Sequence, residues 1–174
     1  ADWPIYPRYQ EPQSMTTAGS NTSGQLGINS TATGAESSPV QIFGTEWGLA
    51  GGISTRKHGI KVDGTLWGWG VGSNGRLGDN TITTKSSPTQ IPGTSWCFVT
   101  SGSNSGYALR NDNTLWAWGI GNDGRLGDST TTTKSSPVQV PGTNWSKVAA
   151  GGEYSVGIQQ DGTLWTWGLN TNGQ

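Results

Sequence analysis

The sequence repeats itself every 49 residues, and that period limits the fold more than any other property of the chain. Asp63-Gly64-Thr65-Leu66-Trp67-Gly68-Trp69-Gly70 returns as Asp112-Asn113-Thr114-Leu115-Trp116-Ala117-Trp118-Gly119, and again as Asp161-Gly162-Thr163-Leu164-Trp165-Thr166-Trp167-Gly168. Trp47, Trp96 and Trp145 keep the same 49-residue spacing, as do Pro39, Pro88 and Pro137, each preceded by two serines. Gly24, Gly75, Gly124 and Gly173 hold the frame as well, with two extra residues in the first loop between Gly27 and Pro39. A period of this length belongs to stacked or radially arranged units.

Each unit reads as β-structure. Trp67 and Trp69 lie two apart and project from one face of a strand, with Leu66 and the small Gly68 on the other. Large rings on one face and small residues on the other allow a sheet to stack on a copy of itself. Asp63-Gly64, Asp112-Asn113 and Asp161-Gly162 mark tight hairpins. They place a preceding strand near Lys57 to Val62, Tyr107 to Arg110 and Val156 to Gln159. A further strand follows Trp47, Trp96 and Trp145, and a fourth lies near Val40-Ile42, Thr89-Ile91 and Val138-Val140. Four short strands in 49 residues without a helical period predict an all-β β-propeller of four-stranded blades.

The combination of Asp-Gly-Thr-Leu-Trp-x-Trp-Gly, Asn-Gly-Arg/Gln-Leu-Gly and Ser-Ser-Pro-x-Gln resembles the regulator of chromosome condensation repeat family, over about Met15 to Gln174. The resemblance implies a propeller, typically of seven blades. It implies function less narrowly, since that family includes a guanine-nucleotide exchange factor, a β-lactamase inhibitor and many bacterial and phage proteins.

Residues 1–14 stand outside the repeat. Three prolines and three aromatics (Trp3, Tyr6, Tyr9) predict an extended arm that anchors on a neighbouring subunit. Residues 15–24 read as a degraded half-repeat, with Thr16 and Ala18 where the paired tryptophans stand later. Three repeats then run to Gly173, and Gln174 falls in mid-motif. About three blades with two open sheet edges are expected, completed either by more of a longer polypeptide or by other copies.

No catalytic constellation recurs. Asp63, Asp112 and Asp161 sit in one hairpin turn of separate units, and Asp79 and Asp128 read as turn or loop-cap residues. The single histidine, His58, and single cysteine, Cys97, occupy different places in the frame and cannot build a His/Cys metal site. No metal and no cofactor are expected, and no enzyme activity. Gly70-Val71-Gly72-Ser73-Asn74-Gly75 has dinucleotide-fingerprint spacing, but turn chemistry follows it instead of a helix. Its middle position is Asn21, Gly72, Gly121 and Asn170 in turn, residues that tolerate a left-handed backbone. Nine tryptophans (Trp47, Trp67, Trp69, Trp96, Trp116, Trp118, Trp145, Trp165, Trp167) are fixed by the period and form the structural core of the repeat. The polar loops 80–85 and 129–134 are the candidate recognition elements, through Asn80, Thr83, Lys85, Ser129, Thr132 and Lys134.

A net charge of −1 with only 12% charged residues provides no basic field for nucleic acid, and no apolar run is long enough to insert in a membrane. The expected role is a non-catalytic structural or adhesive module whose partners are other protein subunits: copies of itself, or a capsid or tail protein. The regular style of the repeats resembles those of bacterial surface proteins and phage particles. A virion component such as a head decoration, fibre or tail protein, located in the virion or at a cell surface, is the specific expectation. An exchange-factor-like propeller, a secreted enzyme inhibitor and a bacterial surface adhesin are the alternatives.

Overall fold

A computed structural model describes residues 14–30 and 34–173. The proposed arm residues Trp3, Tyr6 and Tyr9 lie outside this range. The described residues form thirteen strands: β1 (Thr16–Ser20), β2 (Ala35–Gln41), β3 (Trp47–Ile53), β4 (Arg56–Lys61), β5 (Leu66–Gly70), β6 (Lys85–Ile91), β7 (Trp96–Ser101), β8 (Ser105–Arg110), β9 (Leu115–Gly119), β10 (Lys134–Gln139), β11 (Trp145–Ala150), β12 (Tyr154–Gln159) and β13 (Leu164–Gly168). Two antiparallel four-stranded blades, β3-β4-β5-β6 and β7-β8-β9-β10, are followed by a three-stranded one, β11-β12-β13, and preceded by the pair β1-β2. This is an open propeller of about three blades. β3 touches β7 and β7 touches β11, so the first strand of each blade is the innermost.

Local chemistry sets these limits. In each hairpin the aspartate accepts from the backbone N–H and hydroxyl of the threonine two residues on, with Asp63 Oδ1 2.9 Å from Thr65 N and 2.7 Å from Thr65 Oγ1. Thr65 Oγ1 in turn accepts from the indole Nε1 of Trp67 at 2.9 Å. The relay recurs through Asp112-Thr114-Trp116 and Asp161-Thr163-Trp165. These bonds favour the ionised carboxylate and hold all three aspartates below the usual range. Each innermost strand carries a bulge one residue after its tryptophan, at Gly48, Cys97 and Ser146. Cys97 Sγ and Ser146 Oγ occupy the bulge by donating to the carbonyls of Leu109 and Ile158. The fourth strands are longer than their sequence signals: they begin at Ala35, Lys85 and Lys134 and include the Ser-Ser-Pro runs. Proline lacks a backbone N–H, and the outer edge of a blade is where a strand needs none.

The rings pack differently from a simple large-on-small stacking of blades. Trp69 packs on Gly59 in its own blade and on Gly27 in the loop of the preceding unit. Trp118 likewise meets Gly106 and Gly78, and Trp167 meets Gly157 and Gly127. Indole Nε1 of Trp69 donates to Gln25 O at 3.2 Å, and that of Trp118 to Arg76 O at 3.1 Å. At the third joint Tyr107 intervenes: Trp167 Nε1 lies 3.3 Å from the Tyr107 hydroxyl, which donates to Arg125 O. The buried clusters therefore straddle units. Ile60, Leu66 and Ile91 of one blade pack with Trp96, Val99 and Trp118 of the next.

Two groups at the second joint do not follow the period. Arg56, fully buried, donates to the carbonyls of Gly102, Ser103 and Ser105 in the next blade at 2.6, 3.0 and 3.2 Å. Burial, and then Arg76, lower its pKa to about 10, so it stays charged at neutral pH. His58 Nε2 lies 3.2 Å from Leu77 O, which can only accept, so Nε2 carries the proton and Nδ1 accepts from Ser101 Oγ at 2.9 Å. Burial, with a smaller contribution from Arg56, lowers the His58 pKa to about 3.

Gly78 has φ +81° and a Cβ there would fall 2.9 Å from the Trp118 ring. Gly78→Val is expected to cost about 2–5 kcal/mol in urea unfolding. Gly152→Ala, whose nearest new neighbour would be 3.8 Å away, should leave the midpoint unchanged. Equal midpoints would remove the loop–ring contact from its place at the joint. For His58, the unfolded chain takes up a proton below about pH 6.5 that the folded protein refuses until about pH 3. Stability should therefore fall with decreasing pH, by about 1.4 kcal/mol per unit once the unfolded histidine is fully protonated. His58→Gln, which keeps a donor and an acceptor, should flatten the slope of urea midpoints between about pH 5 and 6.5, above the carboxylate range; an unchanged slope would contradict this account.

Candidate functional site

The loops joining the third and fourth strands are organised by their own polar groups. Thr81 donates from backbone and hydroxyl to Asp79, whose side chain is 1% exposed. Thr83 Oγ1 is 3.1 Å from Thr81 Oγ1, and Lys85 Nζ is 3.6 Å from Asp79 Oδ2. Asp128, Thr130, Thr132 and Lys134 repeat this ladder with the same lysine distance of 3.6 Å. Ile28 and Glu36 stand where the acid and the lysine would be in the first unit, so both partners change together. The fingerprint-like glycines serve the same loop. Ser73–Gly75 and Asn122–Gly124 form single 3-10 turns with Asn74 and Asp123 at positive φ. The middle residues Gly72 and Gly121 have φ near −100°, not the left-handed values expected. They are glycine because a Cβ would run into the carbonyls of Thr83 and Thr132.

Each loop reaches forward onto the next unit. Gly24 and Gly75 lie against Ser86 and Ser135, and the backbone N–H groups of Asn29 and Asn80 donate to the carbonyls of those serines at 2.9 and 2.8 Å. The Asn-Gly-Arg-Leu-Gly and Ser-Ser-Pro motifs are thus two sides of one contact. Of the six candidate recognition residues, Thr83, Lys85, Thr132 and Lys134 belong to the ladders. Lys85 and Lys134 open β6 and β10 instead of closing a loop. Asn80 and Ser129 take left-handed backbones, φ 64° and 63°, at the forward tip.

Asn80 also borders a cleft on the outer side of the second blade. With Pro92, Trp116, Ser136, Pro137 and Arg110 it lines an open cleft of about 290 Å³. The Arg110 guanidinium carbon lies 4.4 Å from the ring centre of Trp96 and 4.1 Å from that of Trp116. Lys61, one period earlier, sits with Nζ 5.4 and 5.0 Å from Trp47 and Trp67. Gln159 holds the third place. Gly44, Gly93 and Gly142 seat these three side chains from below. The sequence reading did not single out this column; Lys61, Arg110 and Gln159, each two residues before the hairpin aspartate, were its signal.

At the far end the outer side of β13 has no partner strand among the described residues. Leu164 is 66% and Trp165 52% exposed there, whereas Leu66 and Leu115 at the same place are fully buried. Of the nine frame tryptophans, Trp165 alone is classed as exposed; the other eight are buried or partly buried. Among the described residues no group of three His, Cys, Asp or Glu side chains is placed to hold a metal.

The family model described as the regulator of chromosome condensation (RCC1) repeat matches residues 63–109 and 112–158, and a second model of the same repeat matches 145–174. No curated protein matches the chain. Human WBSCR16 superposes on it with a TM-score of 0.79 at 20% identity, over 92% of this chain and 44% of that one. Prp20p of Saccharomyces cerevisiae does so with a TM-score of 0.78 at 19% identity, over 92% of this chain and 42% of that one. The chain thus spans less than half the length of either relative, and at these identities the likeness establishes the fold. With matched repeats over more than half its length, the chain belongs to the regulator of chromosome condensation repeat family.

Proposed function

We propose that this chain is a non-catalytic module for protein–protein assembly, and more specifically a structural component of a phage virion, such as a head decoration, fibre or tail protein. The assembly reading is carried by the run of matched repeats, a scaffold whose loop acids and hydroxyls bond one another instead of converging on a reaction centre. Structural relatives support protein partners in general: Prp20p is described by its binding to Gsp1p and histones, and yeast RCC1 was solved bound to Kap60. The virion reading rests on the resemblance of these regular repeats to those of phage particles, and the near-neutral charge suits a scaffold displayed in many copies.

The test is a mass-spectrometric inventory of density-gradient-purified virus particles and of cell-surface fractions from the natural source. Peptides of this chain co-purifying with the major capsid protein in fixed stoichiometry are the expected result. Peptides confined to the cell surface would replace the virion reading with an adhesin. Peptides found only in soluble, unassembled fractions would overturn the assembly reading itself.

A further inference from the structure

The cleft around Arg110 is unlike the rest of the repeat in one respect: its walls are fixed by the frame while its centre is not. Two tryptophans, a seating glycine and a Ser-Pro step recur around Lys61 and Arg110, yet the centre changes from lysine to arginine to glutamine along the chain. Packing that tolerates a cation or a neutral amide equally does not explain why two successive blades place a cation there.

Arg110 is the more developed of the two. Its guanidinium lies against both indoles and against Gly93, so its plane is fixed by three contacts. The buried Nε has no hydrogen-bond acceptor among the described residues. No carboxylate among them lies within ion-pair distance of it. The acid on its own hairpin, Asp112, is hydrogen-bonded to the backbone and hydroxyl of Thr114, and the Arg110 charge adds a smaller electrostatic contribution to holding its carboxyl down. The acid of the preceding loop, Asp79, is held by Thr81 and Lys85. A guanidinium oriented on aromatic faces, with its buried Nε unpartnered and an open cleft of about 290 Å³ beside it, is arranged to receive a carboxylate. The rim adds the Ser136 hydroxyl and the Asn80 amide as further polar groups, and Pro92 and Pro137 as rigid apolar walls.

We infer that this cleft is a docking site for the carboxylate side chain of an acidic residue carried on a partner protein. The side chain enters between Trp116 and Pro137 and is held by the Arg110 guanidinium; Lys61 provides a second, weaker point of the same kind one blade earlier. Tryptophan and arginine at one partly enclosed place are the composition that dominates protein–protein binding energy. An isolated arginine in a chain of net charge −1 is poorly suited to track a phosphate backbone, which needs a field of many cations. The inference rests on the reading of the chain as an assembly module and names the chemistry of one contact.

The experiment follows the Arg110 Nε–Hε correlation by NMR in the uniformly nitrogen-15-labelled full chain. The probes are an acetylated, amidated glycine peptide carrying two glutamates, the same peptide with two glutamines, and inorganic phosphate. The glutamate peptide should shift the signal saturably, with an affinity at least about fivefold above that of the glutamine peptide, as expected for a charge-assisted over a neutral bond. Arg110→Gln should abolish saturable binding of the glutamate peptide while leaving the urea midpoint close to that of the parent. Equal shifts with both peptides, or no shift with either, would overturn the inference, and so would a larger, saturable response to phosphate. These outcomes are read on the wild-type chain and hold even if the variant does not fold. Binding of the glutamate peptide together with absence from every assembled fraction would overturn the assembly role and leave the site standing; the reverse pattern would do the opposite.

Discussion

The structure depends on a contact between a ring and a missing side chain. Trp69, Trp118 and Trp167 each press on a glycine in the loop of the unit before, and each indole N–H is satisfied by that loop, directly at two joints and through Tyr107 at the third. A low apolar fraction of 30% leaves few aliphatic side chains for a core. Large rings compensate, but only if backbone comes close enough to touch each ring. That requirement fixes the positions of Gly27, Gly78 and Gly127, and through them the course of the loop. The loop then fixes the next contact outward, where Gly24 and Gly75 and the N–H groups of Asn29 and Asn80 lie on Ser86 and Ser135.

Most of this was legible because it is periodic. Spacing alone located the blades, the hairpin turns and the tryptophans, since each is demanded by packing that recurs in every unit. What the sequence concealed is what occurs once. Arg56, buried with three carbonyls from the next blade, has Ser105 and Tyr154 at the equivalent places, so no pattern announces it. Tyr107 replaces a direct indole–carbonyl bond by a relay, which no spacing rule contains. The roles of His58 and Cys97, a neutral staple at a joint and a filler of a strand bulge, are tertiary facts. The middle glycines of the Gly-x-Gly runs were assigned to the wrong physical cause. Gly72 is small for the sake of the Thr83 carbonyl and not for its own backbone angle, a distinction that needs the loop closed in space.

The candidate site was partly legible. The polar loops drew attention because polar residues in connections are where recognition is usual, but Thr83, Lys85 and their repeats serve the loop itself. Asn80 alone of the first set reaches the Arg110 cleft, and it does so from the unit before. The cleft's central residue belongs to a strand end and would be passed over as an ordinary solvated charge. Only the two tryptophans on either side, which the frame was already known to supply, mark it as different.

The forward lean of each loop has a consequence for how such a chain can lengthen. A joint consists of two half-sites: the Gly-containing loop of one unit, and the ring with its Ser-Ser-Pro strand in the next. Each 49-residue period that closes on its Ser-Ser-Pro, as 40–88 and 89–137 do, contains one copy of each half-site. Duplicating or deleting such a stretch therefore leaves the joining chemistry of every remaining boundary complete, because each newcomer brings the half it offers and the half it accepts. Copy number is thereby uncoupled from interface design. Single-occurrence groups such as Arg56 are then records of individuality at one boundary, the places where otherwise interchangeable units have become distinguishable from one another.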